Sequence, residues 1–308
     1  MQVSASRASL DAGVVDVEAA LGFQGAESFG TGIIVSSSGE VITNNHVING
    51  ATTVRAVVVS TGVTYTATVV GTDPSHDIAV LQLQRANGLT TVQLGNSDSV
   101  KVGAAITTVG NAGGRGGQPT ITTGRVTALG RTVSATDESG GSSETLHGLI
   151  EVNAALQPGD SGGPLVDSHG AVVGIDSIGT QSARSAAARR GYAIPINTAI
   201  AVDRAIDAGQ RSGAITLGRP AFLGILTAST GNAAVVVEQV LPRTAAATIG
   251  LRAGDRLVAV AGTTVHTVAD LTAILHGLQA GRTVSITWIT ANGTTRHASA
   301  VLGSGPAN

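Results

Sequence analysis

"QPGDSGGPL", residues 157–165, cannot be a helix. Pro158 and Pro164 fix φ and lack a backbone donor, while Gly159, Gly162 and Gly163 admit conformations closed to other residues. One reading is a tight turn between two strands. The other is a bend that presents the Ser161 hydroxyl beside backbone N–H groups. The second reading needs a base for Ser161 and a carboxylate to orient that base.

Outward from this run the chain reads as short strands broken by Gly, Asn and Ser. "TGIIVSSSGEVITNNHVI" (31–48) predicts a hairpin turning at Ser38-Gly39, and "TTVRAVVVSTGVTYTATVVG" (52–71) another turning near Thr61-Gly62. Val54, Ala56 and Val58 alternate with Arg55, the period of a half-buried strand. Further strands are expected at 77–83, 104–110, 121–130, 149–154, 164–178 and 192–196. Many short strands with almost no helix predict a barrel or sandwich. "GNAGGRGGQP" (110–119) and "SATDESGGSSET" (134–145) read as mobile loops. Residues 197–209 predict a helix, with Asn197 as N-cap and Gly209 as stop. A linker is expected at 210–220. Beyond it a second unit shows strands at 233–241, 255–262, 282–290 and 295–302, the last two joined by an Asn292-Gly293 turn. Its helix, at 267–281, carries Leu271, Ile274, Leu275 and Leu278 on one face.

Composition bounds the function. The 308 residues allow two domains. With 2% aromatic residues, the cores must be built from Val, Ile, Leu and Ala. A net charge of −2 gives no electrostatic case for nucleic acid or an anionic membrane. The absence of cysteine excludes disulfides, thiolate metal sites and a cysteine nucleophile. No apolar run approaches the roughly 20 residues that span a bilayer. The first twenty residues lack a signal-peptide apolar core, as in a cytosolic protein or a processed chain. At 110–119 no Lys-Ser/Thr follows the glycines, so no P-loop is present.

Seven histidines are available as the base. His147, His169, His266, His276 and His297 fall on loops, strand ends or helix faces, with no metal-ligand spacing. His76 precedes Asp77 and in a strand would point to the opposite face. His46, in "TNNHVI", ends a hydrophobic strand. Among the acids Asp77 stands out, because it opens the apolar strand "DIAVLQL" after the turn "GTDPSH". Singly, His46 reads as a half-buried histidine and Asp77 as a turn-end carboxylate. Together, the order His46…Asp77…Ser161 is that of one known triad arrangement, and each member sits at a strand end or turn of an all-β scaffold. The N–H groups of Gly159, Asp160 and Ser161 at the bend are the candidate oxyanion donors.

That triad order is the one used by chymotrypsin-fold enzymes. The blocks "GTGIIVSSSGEVITNNHVI", "DPSHDIAVLQL", "LGNSDSVKVG", "TITTGRV", "QPGDSGGPLVDSHGAVVGID" and "GYAIPI" resemble, in order, those of the HtrA (DegP-type) serine proteases. The tail resembles their PDZ domain: "AFLGI" (221–225) is similar to the carboxylate-binding loop, and 244–275 to the turn, strand and groove helix. "GRPAFLG" and "VSITW" resemble the secreted PepA-type members of actinobacteria. The resemblance implies a mainly β chain: a chymotrypsin-like double β-barrel over 1–212 and a small α+β PDZ domain over 213–308. It implies an extracytoplasmic serine endopeptidase acting on unfolded or damaged proteins, often as a homo-trimer, with His46, Asp77 and Ser161 catalytic and no cofactor or metal required.

It further implies that Ala155, six residues before the serine, lines the base of the first substrate pocket. A small apolar base predicts cleavage after small or medium aliphatic residues. Leu223, Gly224 and Ile225 would offer N–H groups to the C-terminal carboxylate of a peptide, added as a strand. The sequence departs from the family's pattern at Asp160, where Asn is common. The loop at 22–28 is short, against long-loop cage assemblies. Loops 110–119 and 177–191 are the expected control points of a resting state. Two rivals share the scaffold: a chaperone or adaptor with a resting barrel, and an esterase on the same triad.

Overall fold

The computed structural model describes residues 10–136, 143–179, 190–210, 214–227 and 234–307. The chain divides into two compact units whose sequence boundary is Gly218/Arg219.

In the first unit, β1 (Val14–Leu21), β2 (Ala26–Ile34), β3 (Glu40–Thr43), β4 (Thr53–Val58), β5 (Val63–Asp73) and β6 (Ile78–Leu83) pair in the order β5-β4-β1-β2-β3-β6. Pairing of β6 with β5 returns this sheet on itself, which removes its free edges. The alternation expected in β4 holds. Val54, Ala56 and Val58 are buried, while Arg55 points outward and meets Glu18 of the register-matched β1 at 3.5 Å. The expected hairpin turns are present, with Gly39 and Gly62 at positive φ.

A second closed barrel follows, from β7 (Ala105–Gly110), β8 (Thr120–Thr136), β9 (Ser143–Val152), β10 (Pro164–Asp167), β11 (Val172–Gly179) and β12 (Gly191–Pro195), in the order β10-β11-β12-β9-β8-β7. The segment 134–145, expected as a loop, is mostly hairpin, because Ser134, Ala135 and Thr136 pair with Thr145, Glu144 and Ser143. Its tip, 137–142, lies outside the described residues, as do 180–189 of the expected control loop at 177–191.

The helix spans Ile196–Asp207. Asn197 is not its N-cap; Pro195 is. The Asn197 amide instead donates to Asn96 Oδ1 at 2.8 Å, tying the helix start to the turn before β7. Gly209 does end the helix, at φ +67 with its N–H on Ile206 O. Ile196, Ala199, Val202 and Ile206 pack into a core shared by both barrels, with Ile33, Ile42 and Ile78 from the first and Leu149, Ile175 and Ile194 from the second. Each such aliphatic side chain is worth about 1.5–3 kcal/mol when fully buried. Part of the expected linker is a strand of this unit, β13 (Thr216–Leu217), paired with β5.

The second unit holds β14 (Ala221–Phe222), β15 (Ile225–Thr227), β16 (Val237–Val240), β17 (Arg256–Val260), β18 (Thr263–Thr264), β19 (Thr283–Ile289), β20 (Thr295–Val301) and β21 (Gly303–Ser304). Its largest sheet runs β18-β17-β19-β20, with the Asn292-Gly293 turn between β19 and β20. The helix is Val268–His276, opened by a Thr267/Asp270 capping box and closed at Gly277, so it stops short of the expected 281. Its Leu271 is buried, and Ile274, Leu275 and Leu278 pack onto the same core, centred on Trp288 and Ile286. The architecture is mainly β, a double β-barrel plus a small α+β domain.

Candidate active site

Three glycines shape the 157–165 turn, and each is obligatory for a stated reason. A Cβ on Gly159 would stand 2.1 Å from Asn111 O, one on Gly162 2.0 Å from Thr31 O, and one on Gly163 2.2 Å from Val109 O. Gly159 and Gly162 also sit at φ +97 and +87. The first barrel grips this turn through one residue of β2. Thr31 donates its N–H to Ser161 O at 2.8 Å and its hydroxyl to Gly159 O at 2.7 Å. The same hydroxyl accepts from Asn111 N at 2.9 Å, and Thr31 O accepts from the Thr43 hydroxyl at 2.6 Å.

His46 lies not at a strand end but on a helical turn, Asn45–Ile48, directly after β3. Val47 and Ile48 face inward there, leaving the His46 side chain 37% exposed. Asp77 does not open β6; it precedes it, as the left-handed cap of the 3-10 turn Pro74–His76, at φ +53. A non-glycine residue at positive φ is a strained one, and such strain clusters at functional sites. Its neighbours hold it there. Asp77 O accepts from Asn44 Nδ2 at 2.9 Å and Asn45 N at 3.2 Å, and its carboxylate is buried.

That carboxylate orients the histidine twice. Oδ1 accepts the His46 backbone N–H at 2.9 Å, and Oδ2 is 2.8 Å from His46 Nδ1. Oδ2 also accepts from the hydroxyl of Ser177 at 2.7 Å. Ser177 O in turn accepts the Ser161 hydroxyl at 3.0 Å. Ser177 therefore joins the Asp77 carboxylate to Ser161, although it escaped the sequence reading. Its only signal was a polar residue on the buried strand "VVGIDSI". His76 is turned elsewhere, with Nδ1 2.8 Å from Asp73 Oδ2.

The candidate oxyanion donors divide. Asp160 N–H is committed to Gln157 O at 3.0 Å, so it is withdrawn from the set. The N–H groups of Gly159 and Ser161 meet no acceptor among the described residues. The Asp160 side chain is buried, accepts Gln157 N–H at 2.9 Å and lies against Gly110. Burial pushes this carboxyl up to about 6, the Gln157 hydrogen bond pulling the other way. Asp176, fully buried beside it, is raised well above the ordinary range, by burial first and the Asp160 charge second. Ala155 is half-buried after the buried Ala154. Among the described residues of 110–119, Asn111 anchors the loop through Gly116 N at 2.8 Å, and Gly113 N donates to Pro158 O at 2.7 Å.

In the second unit, Gly224 takes φ +87, and a Cβ there would strike Thr244 at 2.2 Å. The carbonyls of Leu223 and Gly224 accept from Ala246 N and Leu241 N at 2.8 and 2.9 Å. Their own N–H groups meet no acceptor among the described residues, and Ile225 opens β15 beside them.

Two family models match the chain: a trypsin-like peptidase domain over residues 30–175 and a PDZ domain over 236–290. Serine protease PepD of Mycobacterium tuberculosis is 35% identical over 94% of this chain and 63% of its own length. Periplasmic serine endoprotease DegP of Escherichia coli is 32% identical over 84% of this chain and 54% of its own. The chain thus spans a little over half the length of these curated relatives. A solved structure, the HtrA-type protease AlgW with a tripeptide, aligns over 98% of both chains at 29% identity and a TM-score of 0.56. A peptidase domain followed by a PDZ domain, in this order and with these relatives, makes the chain a member of the HtrA-type serine proteases.

Proposed function

We propose that this chain is an active serine endopeptidase that hydrolyses unfolded or damaged proteins outside the cytoplasm. The observation that carries the reading is the buried Asp77 carboxylate holding His46 Nδ1 at 2.8 Å, with the Ser161 turn beside it. With Nδ1 so engaged, Nε2 is left as the base. The Ser161 proton, given to Ser177 O in this structure, must be redirected to Nε2 as Oγ attacks a peptide carbonyl. His46 then passes that proton to the leaving amine, and water clears the acyl-enzyme. Asp77 fixes the tautomer and stabilises the imidazolium. The Gly159 and Ser161 N–H groups receive the oxyanion, each such donor being worth roughly 3–4 kcal/mol of barrier.

Ala155 forms the base of the first substrate pocket and selects aliphatic side chains. Leu223, Gly224 and Ile225 capture the C-terminal carboxylate of a peptide that adds as a strand beside β15. The periplasmic naming of several relatives supports an extracytoplasmic location. The trimer implied by the resemblance is checked by sedimentation.

The test pairs the protein with its Ser161→Ala variant on a natively unfolded protein at about pH 7.5, above the ordinary histidine pKa of about 6.5. Product ends are sequenced. Cleavage by the unaltered protein alone is expected, with the variant keeping a cooperative melting transition. Equal cleavage by both, or loss of that transition, overturns the assignment of Ser161.

A further inference from the structure

Three acids far apart in sequence converge on the first unit. Glu40 opens β3, the strand that runs directly into the turn carrying His46. Asp203 and Asp207 stand four residues apart on the helix Ile196–Asp207, and so on one face of it. One oxygen from each of the three carboxylates lies within 4.8 Å of the others.

Asp203 is only 7% exposed, and its Oδ1 is sealed from solvent with no hydrogen-bond partner among the described residues. A buried carboxylate oxygen without a partner is costly to keep. Asp207 is also the last residue of its helix, where the carbonyl ends carry partial negative charge and favour cations over anions.

The donor set selects the kind of cation. All three ligands are hard oxygens, which suit calcium, magnesium or manganese rather than zinc or copper. Calcium binds oxygen at about 2.3–2.6 Å and so bridges oxygens up to about 5 Å apart, whereas magnesium at about 2.1 Å bridges only about 4.2 Å. Oxygens lying within 4.8 Å of one another fit inside the calcium span. Asp207 is exposed, which leaves a solvent side for the waters that complete a calcium shell. We propose that Glu40, Asp203 and Asp207 form a calcium site that ties the last helix of the peptidase unit to the strand leading to His46. This rests on the cluster alone and not on the chemistry assigned to Ser161.

The test uses the full chain carrying Ser161→Ala, which prevents self-digestion, stripped with chelator and titrated with calcium chloride. Calorimetry should give one saturable site, with an affinity in the roughly 10⁻⁴–10⁻³ M range of extracellular modules. The melting temperature should rise with calcium, and rise less with magnesium. Asp203→Asn and Glu40→Gln should each weaken binding by at least about tenfold, in the way that loss of a ligand charge tunes calcium affinity. Asp207→Asn, at an exposed position, should do the same and keeps the test valid if a buried variant fails to fold. The proposal is overturned by no heat and no shift up to about 10 mM calcium, ten times the weak end of that range. It is also overturned by an equal shift from sodium chloride at matched ionic strength, or by an undiminished calcium response in Asp207→Asn.

Discussion

Asp160→Asn should stabilise the chain at neutral pH and leave it unchanged in acid. Asp160 is buried with one oxygen on Gln157 N–H and the other, Oδ1, without a partner among the described residues. Burial raises its carboxyl from the ordinary 3.8 to about 6. Because the folded value lies above the unfolded one, the stability contributed by the protonated group is fully present below about pH 3.8 and is lost as pH rises through about 6. At 1.36 kcal/mol per pH unit, the penalty above pH 6 reaches about 3 kcal/mol. Asparagine keeps an oxygen for Gln157 N–H, carries no charge, and removes the repulsion that Asp160 exerts on the buried Asp176. The assay is urea unfolding of the Ser161→Ala chain with and without Asp160→Asn, at intervals between about pH 4 and 8. The variant's advantage should be near zero at pH 4 and grow to about 2–3 kcal/mol by pH 7.5. A difference that does not change with pH, or one that turns into destabilisation as pH rises, would refute the reasoning.

Gly162→Ala places a methyl 2.0 Å from Thr31 O at a positive φ, so the nucleophile turn must move. Turnover should fall by at least about 100-fold, the cost of misplacing a reacting group by an ångström, and this is read from kcat on an unfolded substrate. Ser177→Ala removes the hydrogen bond to Asp77 Oδ2 but leaves the Ser177 carbonyl. Losing one bond to a charged group, worth about 1.5–3 kcal/mol, should lower kcat roughly 10-fold or more while the Ser161→Ala background melts cooperatively. Sequencing of products from a peptide library should show cleavage after Val, Ala or Leu, and Ala155→Asp should shift it toward Arg and Lys; cleavage after Arg by the unaltered chain would remove Ala155 from the pocket.

The strands were legible because apolar alternation and glycine turns are local signals. Val54, Ala56 and Val58 announce their face without help, and Gly39, Gly62 and Gly293 announce the turns. The proposed catalytic residues His46, Asp77 and Ser161 were picked out by chain order, and the fold brings His46 Nδ1 to within 2.8 Å of the Asp77 carboxylate. What stayed hidden depends on contacts across long separations. Ser177 looks like any polar residue on a strand until the fold sets it against Asp77, 100 residues away. "NHVI" is too short and too apolar to be told from a strand, yet it is helical. Asn197 fits the pattern of an N-cap, but its amide is drawn to Asn96 and the cap falls on Pro195. The withdrawal of the Asp160 N–H depends on a turn closed onto Gln157, which composition does not reveal.

The grip of Thr31 on the nucleophile turn bears on how this peptidase unit can be recombined with others. Four hydrogen bonds meet at one residue of the first barrel, and three of them end on 159, 161 or the loop at 111 of the second. The two barrels are therefore not interchangeable modules. A chimera that takes its first barrel from one parent and its second from another inherits a turn shaped for a different strand. A crossover that keeps 29–32, 110–116 and 157–163 from a single parent carries the Thr31 grip with it. The bond from Ser177 to Asp77 crosses between the barrels separately, so those two positions must be inherited together as well.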